Sequence, residues 1–354
     1  MKITIGITAT KRYLHASDIL ARRIKANLAN INRNAELIVV TDETEEADKL
    51  VGSLIDTCAK YVTPHIIKLP IDDDKQPYKT NAQLLIAQME NAAFEKARDL
   101  NADFFWSVEP DVLPPPNALR CLIDTLNFDG GYYDVAMVTY PSQGGGSFLG
   151  GRGTARNWIL QDIYEDERAL PEDLKKRKGQ LEAKAQREHN KNGKITKKTE
   201  QECKKLHEQI QACPPKGNIF ELQAKGWRRR GWLGSAYPGL GRGCVLPTDW
   251  VGMGCTLLSK KALELAHFEG YRGAGTQDLF LCWKRWFPEG LKFSVITHVA
   301  CEHIVRATKD DFSEFNLLCP EYAEDGECVG HLRMRTEPYY TFKGGEVSVD
   351  KSDK

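Results

Sequence analysis

The sequence has no long apolar run, no net charge and no internal repeat. No apolar stretch approaches the roughly 18 residues that a membrane-spanning helix requires, and the amino-terminal residues alternate in polarity instead of forming a signal-peptide core. The 354 residues contain 49 lysines and arginines against 49 aspartates and glutamates. We therefore expect a soluble, cytoplasmic protein with no membrane partner, long enough for two domains or for one large α/β domain.

Cysteine is sparse for a chain of this length, at 10 residues. Without an export signal, these cysteines are expected to be reduced thiols. The pairs nearest in sequence, Cys203 with Cys213 and Cys319 with Cys328, lack the two-residue spacing of zinc knuckles. Neither a disulfide-stapled scaffold nor a structural zinc site is predicted.

The neutral total hides an uneven distribution of charge. Residues 171–230 hold 17 lysines and arginines against 8 aspartates and glutamates, whereas the remainder holds 32 against 41. A basic segment in an otherwise acidic chain indicates a local anionic partner.

The apolar pattern predicts alternating strands and helices. The first half gives a strand, a helix and a strand, then a longer helix capped by Thr80 and an aromatic strand: 2–10, 16–30, 36–40, 81–100 and 102–108. Asn117 is a predicted cap for the next helix. Later strands and helices are predicted at 134–140, 252–258, from Lys260, from Asp278 and at 292–299. This alternation is typical of an α/β protein with a parallel sheet.

Other segments have a different character. The glycine-rich residues 144–153 are predicted to form a connector, and residues 168–212 a helical hairpin with a thin apolar stripe. The chain after Val305 is predicted to be a polar appendage with a frayed end at 344–354. The expected division is a first half (1–150), the inserted hairpin (168–215), a second half (216–305) and the appendage (306–354).

Four polar residues follow predicted strands or begin predicted helices. Glu109 and Asp111 end the aromatic strand, Asp278 begins a helix, and His303 ends the last strand. Carboxylates at the carboxyl ends of parallel strands are suitable ligands for a divalent cation. Taken singly, each also has a simpler interpretation, as a solvated carboxylate, a helix-capping acid or a hydrogen-bonded histidine.

The order of these segments resembles that of glycosyltransferases with the GT-A fold. The segment 104–119, FFWSVEPDVLPPPNAL, resembles the metal-binding strand end of that family, where an Asp-x-Asp-like motif precedes prolines and a helix. Residues 250–259, WVGMGCTLLS, resemble its acceptor-side strand, and residues 275–282, GTQDLFLC, resemble its Glu-Asp-x-x-Phe element. Two positions depart from the pattern: Glu109 replaces an aspartate, and Gln277 replaces the first acid of the pair.

The resemblance implies a GT-A-like nucleotide-binding fold with the basic hairpin inserted, and an inverting, metal-dependent sugar transfer. Asp111 and His303 would hold Mn²⁺ or Mg²⁺, and Asp278 would be the catalytic base. The donor, in our interpretation a UDP-sugar, would be bound by residues near the first strand ends: Thr8, Thr10, Lys11, Asp42, Lys79, Asn81 and Glu109. Lys79 is equally well interpreted as an exposed charge. Trp250 and Gly252 would lie on the acceptor side.

The acceptor must be inferred from the part of the chain that the family does not explain. The basic hairpin is followed by two tryptophans that flank three arginines: Trp227, Arg228, Arg229, Arg230 and Trp232. Positive charge beside stacking surfaces is typical of nucleic-acid contacts, although a solvated helical face is an alternative. We therefore take DNA with hydroxymethylated bases as the leading acceptor hypothesis, with a polysaccharide, protein or lipid-linked glycan as alternatives. A nucleotidyltransferase and a non-catalytic nucleic-acid-binding protein remain the alternative functions.

Overall fold

The computed structural model describes residues 1–71, 79–141, 149–152, 171–192, 195–211, 231–232, 245–273, 276–305, 314–322, 328–338, 340–343 and 346–349. The chain divides into two compact units. The first unit comprises Met1–Thr154 and Arg230–Lys354, and the second comprises Ala155–Arg229.

The first unit is built on an eight-stranded sheet. In sheet order its strands are β3 (Val62–Lys68), β2 (Ala35–Thr41), β1 (Ile3–Thr8), β4 (Phe104–Val108), β10 (Cys255–Ser259), β6 (Val135–Thr139), β11 (Phe293–Ala300) and β9 (Val245–Thr248). The helices of this unit are α1 (Ser17–Ile31), α2 (Glu45–Cys58), α3 (Lys79–Asp99), α4 (Ala118–Asn127), α7 (Lys260–Leu265) and α8 (Gln277–Phe280). A 3₁₀ turn, Lys11–Ala16, precedes α1, and a π-helical turn, Leu281–Trp286, follows α8.

Most neighbouring strands of this sheet are parallel. β1 pairs in parallel with β2 and β4, β2 with β3, and β6 with β11. β10 is antiparallel between β4 and β6, and β9 is antiparallel on β11. The α/β class and the mostly parallel, helix-flanked sheet predicted from the sequence are therefore confirmed.

Burial in the central strands extends to both faces. Ile3, Ile5 and Ile7 are at most 1% exposed, as the alternating pattern predicts, but Thr4 between them is also fully buried. Gly6 faces the ring of Phe105, which a β-carbon at that position would overlap. Parallel strands carry helices on both faces, so their polar-looking positions are buried as well.

Some predicted helix and strand starts are wrong. α3 begins at Lys79, so Thr80 lies inside its first turn and is not the cap. Asn117 does occupy the N-cap position of α4, but its side chain makes no capping bond; the Leu119 amide donates to Oδ1 of Asn27, 2.8 Å away. The strand predicted from Gly252 begins only at Cys255, because the residues before it pack against Tyr140.

After Val305 the described residues form strands, so the frayed end predicted at 344–354 is wrong at least for 346–349. A second sheet has the order β14 (Cys328–Pro338), β13 (Glu314–Tyr322), β12 (Glu302–Val305) and β5 (Val112–Leu113), and β15 (Tyr340–Lys343) pairs with β16 (Glu346–Val349). In these segments, strand pairing provides hydrogen-bond partners for the backbone N–H and C=O groups. The polarity of the side chains does not reveal this stabilisation. Most of the predicted 144–153 connector lies outside the described residues, but β7 (Gly151–Arg152) pairs with β8 (Gly231–Trp232).

The second unit contains the predicted helical hairpin. Its helices are α5 (Glu172–Asn192) and α6 (Lys197–Gln211). Leu181 and Leu206 are 8% and 4% exposed, and Lys184 pairs with Glu202 at 2.7 Å. In the part of the chain that the structure describes, no helix has both the length and the apolar character needed to cross a membrane.

Candidate functional site

The ends of β1 and β4 open onto a cavity of about 190 Å³ beside α3. The residues around it come from the two strand ends, the 3₁₀ turn and one face of the helix: Thr8, Thr10, Arg12, Tyr13, Ala82, Leu85, Ile86, Met89, Glu109, Pro110 and Asp111. One wall is therefore apolar, whereas the opposite side presents hydroxyl, guanidinium and carboxylate groups. Thr8, Thr10, Glu109 and Asp111 were all candidates from the sequence.

Asp42 shapes the turn that follows β1. It is 1% exposed, its Oδ2 accepts the Lys11 amide at 2.7 Å, and its Oδ1 accepts the Thr44 amide at 3.0 Å and the Thr44 hydroxyl. The carboxylate thus joins the Thr10–Lys11 turn to the start of α2. Lys79 and Asn81 lie in the first turn of α3, and their side chains are outside the described residues.

Asp111 and His303 are brought together by a short pair of strands. β12 pairs antiparallel with β5, opposing His303 to Val112, and the Ile304 amide donates to the carbonyl oxygen of Asp111 at 2.8 Å. The Nε2 atom of His303 then lies 3.5 Å from Oδ2 of Asp111. Both residues are buried, at 3% and 8% exposure.

The other ring nitrogen of His303 is already engaged. Nδ1 lies 2.6 Å from the carbonyl oxygen of Pro141, which can only accept, so Nδ1 carries a proton. Nε2 is buried and has no hydrogen-bond partner among the described residues. Burial lowers the pKa of His303, but the neighbouring Asp111 and the Pro141 carbonyl outweigh it, so the pKa is raised overall. The pair is therefore suited to a cation between Nε2 and the carboxylate.

A second group of acidic side chains lies at the same strand ends. Carboxylate oxygens of Glu90, Glu109 and Asp278 all lie within 4.8 Å of one another. Glu90 comes from α3, Glu109 from the end of β4 and Asp278 from α8. We call these three residues the carboxylate cluster. Oxygen ligands in this number are also suited to a hard divalent cation.

Burial dominates the electrostatics of the carboxylate cluster. It raises the pKa of Asp278 to about 7, although the amides of Asp278 itself and of Met253 act in the opposite direction. Burial also raises the pKa of Glu109, with further contributions from Asp278, Asp111 and Glu90, and the pKa of Glu90, with a contribution from Asp278. A carboxylate with a pKa near 7 can accept a proton at neutral pH.

Tyr140 connects the two groups. Its hydroxyl oxygen accepts the Gly254 amide at 2.9 Å, and its ring meets the ring of His303 edge-on at 5.8 Å. A β-carbon at Gly252 or Gly254 would overlap Tyr140. Burial raises the pKa of Tyr140, so it stays a neutral phenol at physiological pH. The glycines of the 250–259 segment are thus explained by close packing around Tyr140.

The predicted acceptor residues are not assembled in the described part of the chain. Trp250 is 3% exposed, and Gly252 is buried against Tyr140. The backbone of Trp232 lies in β8 opposite Gly151. Trp227 and the three arginines 228–230 lie outside the described residues, as does the side chain of Trp232.

The residues of the site that were missed from the sequence include Arg12, Tyr13 and Glu90. Arg12 and Tyr13 line the cavity from a 3₁₀ turn whose length the sequence did not indicate. Glu90 follows Met89 on a helix that was interpreted by its apolar positions alone. Its signal is its spacing: Glu90 precedes the buried Ala93 and Ala97 by three and seven residues, so it shares their face.

No protein-family model matches the chain, and no curated protein matches its sequence. Solved structures that match this chain include A197 from STIV, at 9% identity over 98% of this chain and 100% of that chain, with a TM-score of 0.40. They also include the mannosyltransferase PcManGT from Pyrobaculum calidifontis, solved with GDP-Man and Mn²⁺, at 12% identity and a TM-score of 0.39. That alignment covers 87% of this chain but only 57% of the mannosyltransferase chain. The galactosyltransferase LgtC, solved with donor and acceptor sugar analogs, is 13% identical over 38% of this chain and 46% of that chain, with a TM-score of 0.26. Two of these three similar structures are therefore glycosyltransferases of low identity.

Proposed function

We propose that this protein is a metal-dependent glycosyltransferase, moving a sugar from a nucleotide-diphosphate sugar to a hydroxyl acceptor. The observation that carries this proposal is the meeting of two groups at the carboxyl ends of the strands. The Asp111–His303 pair has a free imidazole nitrogen facing a carboxylate, and Asp278 nearby has a pKa raised to about 7. A cation site beside a base matched to neutral pH is what sugar transfer to a hydroxyl requires.

The donor would occupy the cavity beside α3. Its apolar wall suits a base and ribose, and Thr8, Thr10 and the Arg12 guanidinium offer polar contacts to ribose and phosphate. Ligands bind outside the carboxyl ends of strands in open α/β sheets. We propose a UDP-sugar as the donor. Its further proposed contacts are Lys11, Lys79, Asn81 and Glu109. Asp42 would act by shaping the Thr10–Lys11 turn.

Asp111 and His303 would hold Mn²⁺ or Mg²⁺. The fit rests on the unpartnered Nε2 of His303, on its fixed Nδ1 proton and on the carboxylate 3.5 Å away. When bound, such an ion neutralises the charge that develops on a leaving diphosphate.

Asp278 would be the catalytic base. Its carboxylate takes the proton of the acceptor hydroxyl while the acceptor oxygen bonds to the anomeric carbon. The bond between that carbon and the diphosphate breaks, and the nucleoside diphosphate leaves in an inverting displacement. The amides of Met253 and of Asp278 itself lower the pKa of Asp278, which opposes the larger effect of its burial.

The acceptor proposal is DNA, bound by the basic hairpin and residues 227–232. Its support is the charge of residues 171–230, with 17 basic against 8 acidic side chains. Basic side chains neutralise phosphates and release counterions, which gives affinity without requiring a deep pocket. A glycan or protein acceptor would make no such use of the hairpin.

One assay separates the candidate functions. In separate reactions with Mn²⁺, the protein is incubated with a panel of UDP- and GDP-sugars and with nucleoside triphosphates, and the released products are identified by chromatography. Release of a nucleoside diphosphate supports the transferase. Release of pyrophosphate from nucleoside triphosphates would support a nucleotidyltransferase, and release of neither would support a non-catalytic nucleic-acid-binding protein.

A further inference from the structure

Tyr140 directly follows β6 and is one of the largest side chains buried in the core, at 1% exposure. Phenylalanine would fill the same space without burying a hydroxyl group, and a buried hydroxyl needs a hydrogen-bond partner. Here the hydroxyl oxygen accepts the Gly254 amide at 2.9 Å. The presence of tyrosine at this position thus indicates a role for its hydroxyl in holding Gly254.

Gly254 extends this contact to the end of β4. Its carbonyl oxygen accepts the Glu109 amide at 3.0 Å, while its own amide donates to Tyr140. The Glu109 carbonyl oxygen in turn accepts the Val112 amide at 3.1 Å, which closes a turn that contains Asp111. The backbone that carries Asp111 is therefore tied to Tyr140 through Gly254 by two hydrogen bonds.

The ring of Tyr140 contacts the other proposed cation ligand. It meets the imidazole of His303 edge-on, with 5.8 Å between the ring centroids. The next residue, Pro141, accepts the Nδ1 proton of His303 on its carbonyl oxygen at 2.6 Å. Residues 140 and 141 therefore hold the imidazole by packing and by a hydrogen bond, and its Nε2 atom lies 3.5 Å from Oδ2 of Asp111.

Glycine at position 254 leaves room for these contacts. A β-carbon there would lie 2.6 Å from Cζ of Tyr140 and 2.8 Å from Cγ2 of Val112. Val112 is the residue of β5 that pairs with His303 of β12. A side chain at position 254 would therefore push Tyr140 away from β5. Tyr140, Gly254 and the strand pair that brings the two ligands together thus form one close-packed unit.

We propose that Tyr140 is a positioning residue that sets the separation between Asp111 and His303: its hydroxyl holds the segment of Asp111 through Gly254, and its ring holds the imidazole. This inference rests on the proposed cation site and therefore on the proposed function. Tyr140 is not itself a proposed ligand. Groups behind metal ligands orient those ligands, and the loss of such a group typically lowers metal affinity about 10- to 100-fold.

Two substitutions separate the hydroxyl from the ring. Tyr140→Phe keeps the ring and removes the hydroxyl, whereas Tyr140→Leu removes both. Tyr132→Phe, at a position that is 48% exposed, is the matched control. Leu54→Ala, on the buried face of α2, controls for a loss of stability alone. Mn²⁺ affinity of the nucleotide-free protein is measured from the electron paramagnetic resonance signal of free Mn²⁺, well below the Tm of every variant.

We expect Tyr140→Phe to weaken Mn²⁺ binding about 10-fold and Tyr140→Leu about 100-fold. Tyr132→Phe should bind Mn²⁺ as the wild type does. Leu54→Ala should do so as well, although its Tm falls, because a destabilised protein that is still folded keeps its ligands in place. Wild-type affinity in Tyr140→Phe, or an equal weakening in Leu54→Ala, would overturn the proposal.

A failure of the proposed function would be recognised separately. If the wild type binds Mn²⁺ but releases no nucleoside diphosphate, the transferase proposal fails, while the comparison of Mn²⁺ affinities still tests Tyr140. If the wild type binds no Mn²⁺, the proposed cation site fails, and the positioning of the two side chains is tested by NMR of the metal-free protein.

In that NMR measurement, the Gly254 amide of Tyr140→Phe should exchange with solvent about fivefold faster than that of the wild type, because it has lost its acceptor. The imidazole signals of His303 should shift in Tyr140→Leu, while those of His65, on β3, should not. Wild-type exchange of the Gly254 amide in Tyr140→Phe, or unshifted His303 signals in Tyr140→Leu, would overturn the proposal.

Discussion

The Nε2 atom of His303 lies 3.5 Å from Oδ2 of Asp111. The two residues meet because β12, which contains His303, pairs with β5, which begins directly after Asp111. Glu302, the neighbour of His303, also forms an ion pair with Arg23 of α1 at 2.6 Å. The position of the proposed cation ligands is thus set by backbone pairing and by one contact to a helix. Asp278 reaches the same strand ends from a different segment, which allows its role to be tested independently.

The first prediction concerns the pH dependence of turnover. Burial raises the pKa of Asp278 to about 7, and a base must be ionised to accept a proton. Turnover at saturating donor should therefore rise about tenfold per pH unit below 7 and level off above it. The measurement is nucleoside diphosphate release between about pH 5 and pH 8.

Donor affinity measured over the same pH range is the control. Ionisation of the base should change turnover alone, whereas ionisation of the cation ligands should also change donor affinity. A rate that is constant from acid to neutral pH, with donor affinity also constant, would contradict the assignment of Asp278 as the base.

The second prediction concerns stability in the absence of metal. The folded protein binds the Asp278 proton more tightly than the unfolded chain does, since its pKa rises from 3.8 to about 7. The free energy of unfolding should therefore fall as pH rises through this range. Asp278→Asn cannot ionise, so it should be more stable than the wild type near pH 8, by up to roughly 4 kcal/mol at about 1.4 kcal/mol per pKa unit.

Near pH 4 the advantage of Asp278→Asn should largely vanish, because Asp278 is then protonated in the folded protein. Urea unfolding in EDTA at both pH values measures this difference. Asp56→Asn, at an exposed position of α2, should show no such pH dependence. Equal stabilities of Asp278→Asn and wild type near pH 8 would contradict the raised pKa.

The third prediction tests the packing of α1 against α4. Asn27 is fully buried; its amide donates to the Pro115 carbonyl at 2.9 Å, and its Oδ1 accepts the Leu119 amide at 2.8 Å. Asn27→Leu would leave these backbone groups unpaired, at a cost of about 1 to 3 kcal/mol each. Asn30→Leu, which loses one exposed bond to Pro116, should change stability by less than about 0.5 kcal/mol. Urea unfolding that ranks the two variants equally would show that Asn27 does not cap α4.

The fourth prediction tests DNA as the acceptor. Binding of duplex DNA should weaken with salt at a slope of about −0.9 per neutralised phosphate, and replacing Arg228, Arg229 and Arg230 by alanine should flatten that slope by up to about three units. Donor affinity should not change. Loss of Trp227 or Trp232 should cost about 1 to 3 kcal/mol each with little change in salt dependence, if they stack on an exposed base.

A salt titration of DNA binding by the wild type and the triple-alanine variant decides this point. Basic contacts to DNA are strong near 50 mM salt, so an absence of binding there would contradict the proposal. Identical slopes for the two proteins would contradict it as well. Either result would leave a glycan or a protein as the acceptor.

The sequence allowed the α/β class, the main strands and the helical hairpin to be predicted, because each rests on a local apolar period. The alternating Ile3, Ile5 and Ile7 indicate β1, and the apolar positions of α4 indicate a helix whether or not Asn117 caps it. The second sheet was missed because it joins β12 to β5, which lies much earlier in the chain, and no local pattern indicates that pairing. The proximity of Asp111 and His303 depends on that same sheet.

The carboxylate cluster could likewise be predicted only in part from the sequence. Asp278 and Glu109 could be proposed from their places at a helix start and a strand end. Glu90 could not be recognised as their neighbour, because its helix lies earlier in the chain and only the tertiary fold turns that face toward β4 and α8. Its position on an apolar face is the one local sign that it is unusual.

The central claim is that binding and chemistry are divided between Asp111 and Asp278. The most direct test measures Mn²⁺-dependent nucleoside diphosphate affinity and turnover in Asp111→Asn and in Asp278→Asn. Asp124→Asn, at an exposed position of α4, is the control. Asp111→Asn should lose metal-dependent nucleotide binding while retaining its fold. Asp278→Asn should bind the nucleotide normally but turn over about 10² to 10⁴ times more slowly. Normal nucleotide affinity in Asp111→Asn, or near-normal turnover in Asp278→Asn, would contradict it.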